Sequence, residues 1–298
     1  LLGRTQLFYR RLCSPVHAAR ASVAAAWALG LTAAALILDH PIALAALLGA
    51  VLAAGAAAGV GRQLAGMLRR CLFLALPIVA INVLVSRNGL TVFARLGDLG
   101  PFGQGDLTVE AAVYGALIAL KVALLILITT LAGLVVDPDE LLRGLRRLSF
   151  RSALTASLAM RMIPLLAADS QRLAEAQRTR PDGAPGGARA RVGLLAAVVG
   201  GSLDRALDVA ATLELRGFAA SGRRARRAPV PWSRHDIAFA CSAAAVPALA
   251  IYARLAGPFG FHAYPLLRVD VSGATFALAA ALAAAVLLPF CDRRGIEP

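Results

Sequence analysis

The chain has 298 residues, of which 59% are hydrophobic and only 16% charged, with a formal net charge of +14. That apolar share lies well outside the range of soluble domains and points to lipid as the solvent. The positive charge is dispersed between apolar runs, so it is a record of topology and does not mark a nucleic-acid-binding surface.

Taken in order, apolar runs cover residues 21–38 and 42–60, a shorter one carrying Pro77 and Asn82 covers 71–85, and longer ones cover 109–136, 237–251 and 272–290. About twenty helical residues cross a hydrocarbon core, so five of these runs are long enough or nearly so, and 71–85 is a sixth candidate. The expected fold is all-α: a polytopic helical membrane protein with long cytoplasmic amphipathic helices. It divides into N-terminal spans over 1–136, a cytoplasmic region over 137–234 and C-terminal spans over 235–298. Arg4, Arg10, Arg11 and Arg20 precede the first run, and Arg62, Arg69 and Arg70 follow the second. The loops at 87–108 and 254–270 are nearly neutral, residues 143–234 are densely basic, and Asp292-Arg293-Arg294 lies near the end. Arginine-rich and arginine-poor segments alternate as the positive-inside rule requires, which puts both termini and 143–234 in the cytoplasm of a multi-pass protein of the cell (inner) membrane. No secretory leader is read, because the first apolar run begins only at Ala21.

Within the basic region, "DPDELLRGLRRL" reads as a short helix with Asp137 as its cap and Pro138 in its first turn. "SALTASLAMRMIPLL" is apolar but interrupted by Arg161 and Pro164, so a half-buried interfacial helix is expected, followed by a polar helix over 168–180. "PDGAPGGAR" is a loop. In "DRALDVAATLELRGF", Leu203, Ala206, Leu207, Ala210 and Leu213 form one apolar stripe, with Arg205 and Asp208 off it. Gly217 is placed to terminate that helix, and Arg216 sits at the negative end of its dipole. "SGRRARRAPVPWSRHD" is a basic, proline-broken linker whose Trp232 anchors the next span at the interface.

Chemistry for catalysis is missing from the pattern. The single lysine, Lys121, follows no glycine-rich phosphate loop. His17, His40, His235 and His262 are scattered, the four cysteines show no paired spacing, and no cluster has metal-ligand spacing. The reading is a non-enzyme with no cofactor and no metal site. Lys121 lies inside the 109–136 run, where a charge costs at least about 2.5–3.5 kcal/mol. Either it contacts a carbonyl cluster or acid that holds membrane helices together, or it snorkels from a tilted helix. Asn82 is read as a hydrogen bond between helices.

With those segments placed, the cytoplasmic block resembles the transmembrane coupling subunit, or T component, of energy-coupling-factor transporters, the EcfT/CbiQ-like family of ABC importers. "RALDVAATLELRGF" is similar to the family's second arginine-ended motif, with Leu215-Arg216-Gly217 in its place. "RMIPLLAADSQRLAEAQRTR" is similar to the first, but ends Thr179-Arg180-Pro181 where Ala-Arg-Gly is usual. "DPDELLRGLRRL" and, loosely, "YRRLCSPVHAARAS" resemble family segments as well. The resemblance implies a non-catalytic subunit that passes ATPase movement to a substrate-binding membrane subunit (S component) for vitamin or metal-ion uptake. Its implied partners are two ABC ATPase subunits, the S component and the bilayer, with no nucleic acid. Arg180 and Arg216, with Arg178, Glu214 and Gly217 beside them, are the implied ATPase-coupling residues. The stripe of the second helix would pack on its partner helix or on the S component. Two rivals stand beside this reading. A self-sufficient secondary transporter would need intramembrane acids, and Asp39 and Glu110 sit only at span ends; a membrane scaffold without transport leaves the paired arginine-ended helices unexplained.

Overall fold

The computed structural model describes residues 12–85, 91–98, 104–145, 150–179, 188–217, 231–257, 261–262, 268–269, 272–292 and 294. In chain order the helices are α1 (Pro15–Ala18), α2 (Ala21–Ile37), α3 (Pro41–Ala57) and α4 (Gly61–Val85). Strands β1 (Val92–Asp98) and β2 (Gln104–Thr108) follow, then α5 (Val109–Val135), α6 (Pro138–Leu145), α7 (Phe150–Arg178) and α8 (Ala188–Leu215). The chain closes with α9 (Arg234–Leu255), β3 (Phe261–His262), β4 (Arg268–Val269) and α10 (Gly273–Leu287), the last extended by a 3-10 turn at Leu288–Phe290. Two compact units result: Leu1–Leu141 with Trp232–Pro298, and Leu142–Pro231.

The first unit is a helical bundle. Among the described residues, four of its helical stretches are long and apolar enough to cross a membrane: Gly61–Val85, Val109–Val135, Arg234–Leu255 and Gly273–Phe290. α2 and α3 have 17 residues each and are apolar on all sides, the pattern of helices surrounded by other helices or lipid. The run at 71–85 is the second half of α4, which begins at Gly61 and continues through Pro77. Neighbouring helices let a membrane helix tolerate proline. Two loops hold structure the sequence pattern did not show: β1 pairs antiparallel with β2 between α4 and α5, and β3 with β4 between α9 and α10.

α2 and α9 run parallel along each other and organise the core. At one end the backbone N–H of Arg20 donates to Asp236 Oδ1 (2.8 Å) and its guanidinium lies 3.3 Å from Asp236 Oδ2. Midway, the buried Trp27 donates from Nε1 to Ser242 Oγ (3.0 Å), and Ser242 in turn donates to the Ala285 carbonyl of α10 (2.6 Å). Trp27, Phe239 and Phe290 meet edge to face at 5.2–5.8 Å between centroids. Close approach depends on Gly30, where a Cβ would stand 2.6 Å from the Ala243 carbonyl oxygen. Ser233 caps α9 and exchanges hydrogen bonds with Asp236 in a capping box, and the Arg20 guanidinium lies 5.5 Å from the Trp232 ring centroid. α1 packs on α9 and on the 3-10 turn. The start of the described chain and its last helix therefore share the end of the bundle where α2 and α9 begin. Arg234 reaches Asp292 there (3.6 Å), and the Arg294 N–H holds the Asp292 carboxyl below the usual carboxylate range.

The second unit is dominated by α7 and α8, 29 and 28 residues long. Pro164 does not divide α7, which is one helix where the sequence reading expected two. Proline removes one backbone bond, and the Met, Leu and Ala residues around it favour continuing the helix. α8 likewise starts at Ala188, well before the amphipathic stretch that identifies it in the sequence.

Candidate functional site

α8 ends on its arginine motif. The Arg216 N–H still donates to the Thr212 carbonyl (3.2 Å), and the Gly217 N–H turns back to Glu214 (2.8 Å). Gly217 has φ +72°, the left-handed conformation that closes helices and that glycine adopts without a Cβ penalty. Glu214, Leu215 and Arg216 are all exposed, and the Arg216 guanidinium meets no acid among the described residues. The tip thus presents a cation just past the last helical turn. α7 ends similarly: Arg178 is its last residue, and the Thr179 N–H donates to the Glu175 carbonyl (3.2 Å). Arg180 lies outside the described residues, as do Pro181 and most of the loop after it.

α7 and α8 meet over a limited stretch of their lengths. There Arg205 Nη1 donates to Asp169 Oδ2 at 2.9 Å, while Arg172, on the same helix as Asp169, is more remote at 3.9 Å. The half-buried residues of α8 include Leu194, Val198, Ser202, Arg205, Val209 and Leu213, at spacings of three and four that make one face. This corrects the expected stripe. Leu203 and Leu207 are more than 60% exposed, Ala206 and Ala210 are exposed too, and only Leu213 belongs to the inner face. An alanine-rich helix offers two apolar faces, and the ion pair with Asp169 selects the one carrying Arg205.

These features, an apolar helical bundle in one unit and two long helices that end at arginines in the other, agree with comparison to known proteins. The family model described as CbiQ, cobalt transport protein, matches residues 13–226. The chain belongs to the CbiQ family. Its relatives include proteins named energy-coupling factor transporter transmembrane protein EcfT. That of Macrococcus caseolyticus is 26% identical over 184 residues, 57% of this chain and 67% of the relative. That of Exiguobacterium sibiricum is 27% identical over 202 residues, 63% and 74% of the two chains. That of Lactobacillus helveticus is 31% identical over 151 residues, 46% and 53%. The CbiQ match takes in both arginine-ended helices and stops short of α9.

This CbiQ-family chain also builds an ion cluster at the end of its bundle where α2 finishes. Lys121 Nζ donates to Asp39 Oδ1 (2.8 Å) and the Leu36 carbonyl (2.9 Å). Arg254 Nη1 donates to Asp39 Oδ2 (3.0 Å) and the Ile37 carbonyl (3.1 Å). One carboxylate in the turn between α2 and α3 is therefore held by cations from α5 and α9. Both cations also satisfy carbonyls at the C-terminal end of α2, where the helix dipole favours positive charge. Lys121 is midway along α5, yet level with the end of the shorter α2. Glu110, in the first turn of α5, is buried and accepts from the Thr91 N–H (3.1 Å) and hydroxyl (2.6 Å). Asn82 Nδ2 donates to Ile78 within α4 (3.0 Å), in place of the expected bond between helices. Its Cβ faces Gly115 of α5, where an added Cβ would come within 2.9 Å. Sequence reasoning identified Lys121 as chemically unusual but missed Arg254, whose only local signal is a cation closing an apolar run.

Proposed function

We infer that this chain is the transmembrane coupling (T) component of an energy-coupling-factor transporter. It carries no substrate site of its own in this reading. α7 and α8 are levers whose tips, Arg180 and Arg216, each engage one of two ABC ATPase subunits, with Arg178, Glu214 and Gly217 completing the contact surfaces. Closure of the ATPases on ATP drives the tips, and the movement reorients a separate substrate-binding membrane subunit that brings in a vitamin or metal ion. The outward apolar face of α8, with Leu203 and Leu207, is the surface offered to that subunit. Hydrolysis belongs to the ATPases, and the tips face the cytoplasm, as the arginine distribution requires.

The observation that carries this reading is Arg216: an exposed cation with no acid partner among the described residues, on a tip shaped by a left-handed glycine. A guanidinium so presented makes charge-assisted hydrogen bonds to a partner's carboxylates or carbonyls. Truncating one side of a buried charge pair costs on the order of 2–5 kcal/mol. Arg216→Ala should therefore weaken ATPase capture roughly thirtyfold or more while membrane insertion stays intact. If Pro181 distorts the first tip, Arg180→Ala has a smaller effect and the double variant behaves little worse than Arg216→Ala. Arg224→Ala, in the arginine-rich linker, is the near-silent control. Affinity capture of the ATPases by each variant, with transport by the reconstituted complex, is the measurement. Full assembly and full transport by the Arg180/Arg216 double variant would falsify the coupling role.

A further inference from the structure

The ion pair between α7 and α8 has a position that the coupling reading alone does not require. Asp169 and Arg205 are 36 residues apart, and so are Arg180 and Arg216. Each member of the pair therefore stands eleven residues before the arginine of its own helix. Counted within the helices, nine residues lead from Asp169 to the end of α7 and ten from Arg205 to the end of α8, arms of about 14 and 15 Å at about 1.5 Å per residue. The pair is also the charged exception on two apolar faces. The half-buried residues around Asp169 include Leu158, Met162, Leu166 and Leu173, and those around Arg205 include Val198, Val209 and Leu213.

We propose that Asp169 and Arg205 form the fulcrum on which α7 and α8 turn, at nearly the same distance from the ends of the two helices; the proposal rests on the coupling reading above. Apolar side chains packed on one another tolerate sliding by a helical turn, because leucine and valine substitute for each other in most registers. A lone charged pair does not. If α8 slid one turn in one direction, Asp169 would face the neighbourhood of Gly201 and Ser202, with no cation. Sliding the other way would bring Asp208 and a like-charge repulsion. One register alone pairs the charges, as a single polar residue fixes register in a coiled coil. Rotation is treated differently. The arginine stem has several rotatable bonds, so the angle between the helices can change while the guanidinium keeps its carboxylate. The contact blocks translation and permits rotation. Arms of nearly equal length then give nearly equal displacement to the two helix ends, which suits engagement with two ATPases that move together. Partly exposed ion pairs add little stability, so register is where the pair acts. Asp169 and Arg205 are accordingly positioning residues, acting through Arg180 and Arg216.

The test uses the complete transporter, with the four native cysteines replaced and spin labels at Ala176 and Ala211, exposed sites on the two arms. Distances between labels are read with and without ATP for wild type, Asp169→Arg, Arg205→Asp and the double swap. ATPase capture is measured in parallel. Each single reversal should retain the ATPases but cut the population that reaches the ATP-bound distance about fivefold or more, the lower end of ordinary coupling between sites. The double swap should restore that population to within about twofold, because it rebuilds the pair in the same register. Single reversals that keep the wild-type response overturn the fulcrum, and so does a swap no better than its parents. The underlying reading fails separately: Arg216→Ala with normal ATPase capture removes the coupling role whatever the swap does.

Discussion

At the scale of single residues, the most consequential conformation is the positive φ of Gly217. A residue with a Cβ pays about 1–2 kcal/mol in the left-handed region. Gly217→Ala should therefore loosen the last turn of α8 and weaken ATPase capture by roughly five- to thirtyfold, less than Arg216→Ala, in the same affinity measurement. Asp39 gives a second expectation. Asp39→Asn leaves Lys121 and Arg254 close together with their shared counter-charge removed, whereas Arg254→Gln leaves the Lys121 pair in place. Because the carboxylate is about half exposed, solvent screening limits the cost, and Asp39→Asn should lose about 1–3 kcal/mol and Arg254→Gln about 1 or less. Thermal unfolding in lipid nanodiscs would rank them; equal melting temperatures would remove the cluster's structural role. Lys121 could be singled out from sequence because a lone lysine in an apolar run is anomalous on local grounds. Its partners could not, since Asp39 and Arg254 are far away in the chain and only packing brings the three together.

At the scale of elements, α2 and α9 touch most closely at Gly30. A side chain there would collide with a backbone carbonyl of α9, and backbone cannot step aside as a rotamer can. Overpacking of this kind costs typically 1–3 kcal/mol. Gly30→Leu should lower the unfolding midpoint followed through Trp27 fluorescence, while Gly49→Ala, where an added Cβ meets nothing within 4 Å, should leave it nearly unchanged. The limits of sequence reasoning also show at this scale. Spans 109–136 and 272–290 were legible because long apolar runs have few alternatives. Pro164 misled, since a proline's effect depends on whether its surroundings hold the helix together. The face of α8 misled for a different reason. Alanine on both sides of a helix leaves periodicity nearly neutral, and the choice was made by Asp169 on another helix.

At the scale of the whole molecule, the bundle constrains topology independently of the arginine count. α1 against the closing 3-10 turn, and Arg234 against Asp292, gather both ends of the described chain at one end of the bundle. An even number of crossings is then expected; α4, α5, α9 and α10 are long and apolar enough, and the shorter apolar α2 and α3 would bring the count to six. Cys13 and Cys291 are exposed near those two ends. A membrane-impermeant maleimide should label both in inside-out vesicles and neither in intact cells; labelling of only one from either side would overturn the shared face. Cys241 is exposed too, but it lies in the apolar stretch of α9 and should stay protected in lipid. The purified chain should hydrolyse no ATP, and turnover by a preparation shown to lack ATPase subunits would contradict the division of labour.

The two ion pairs that fasten α2 to α9 also act as a ruler. Arg20–Asp236 and Asp39–Arg254 hold their charges beyond opposite ends of a 17-residue apolar helix, 18 residues apart on α9 (Asp236 to Arg254) and so about 27 Å along its axis. A typical hydrocarbon core is about 30 Å thick. α5, with 27 residues, extends about 40 Å. The charges on the α2–α9 side thus match a hydrocarbon core with little to spare, while α5 has length in reserve, and each ångström of mismatch costs a fraction of a kcal/mol. Bilayer thickness becomes a variable that the protein senses unevenly around its perimeter. Membranes of longer-chain lipid should strain the α2–α9 side first.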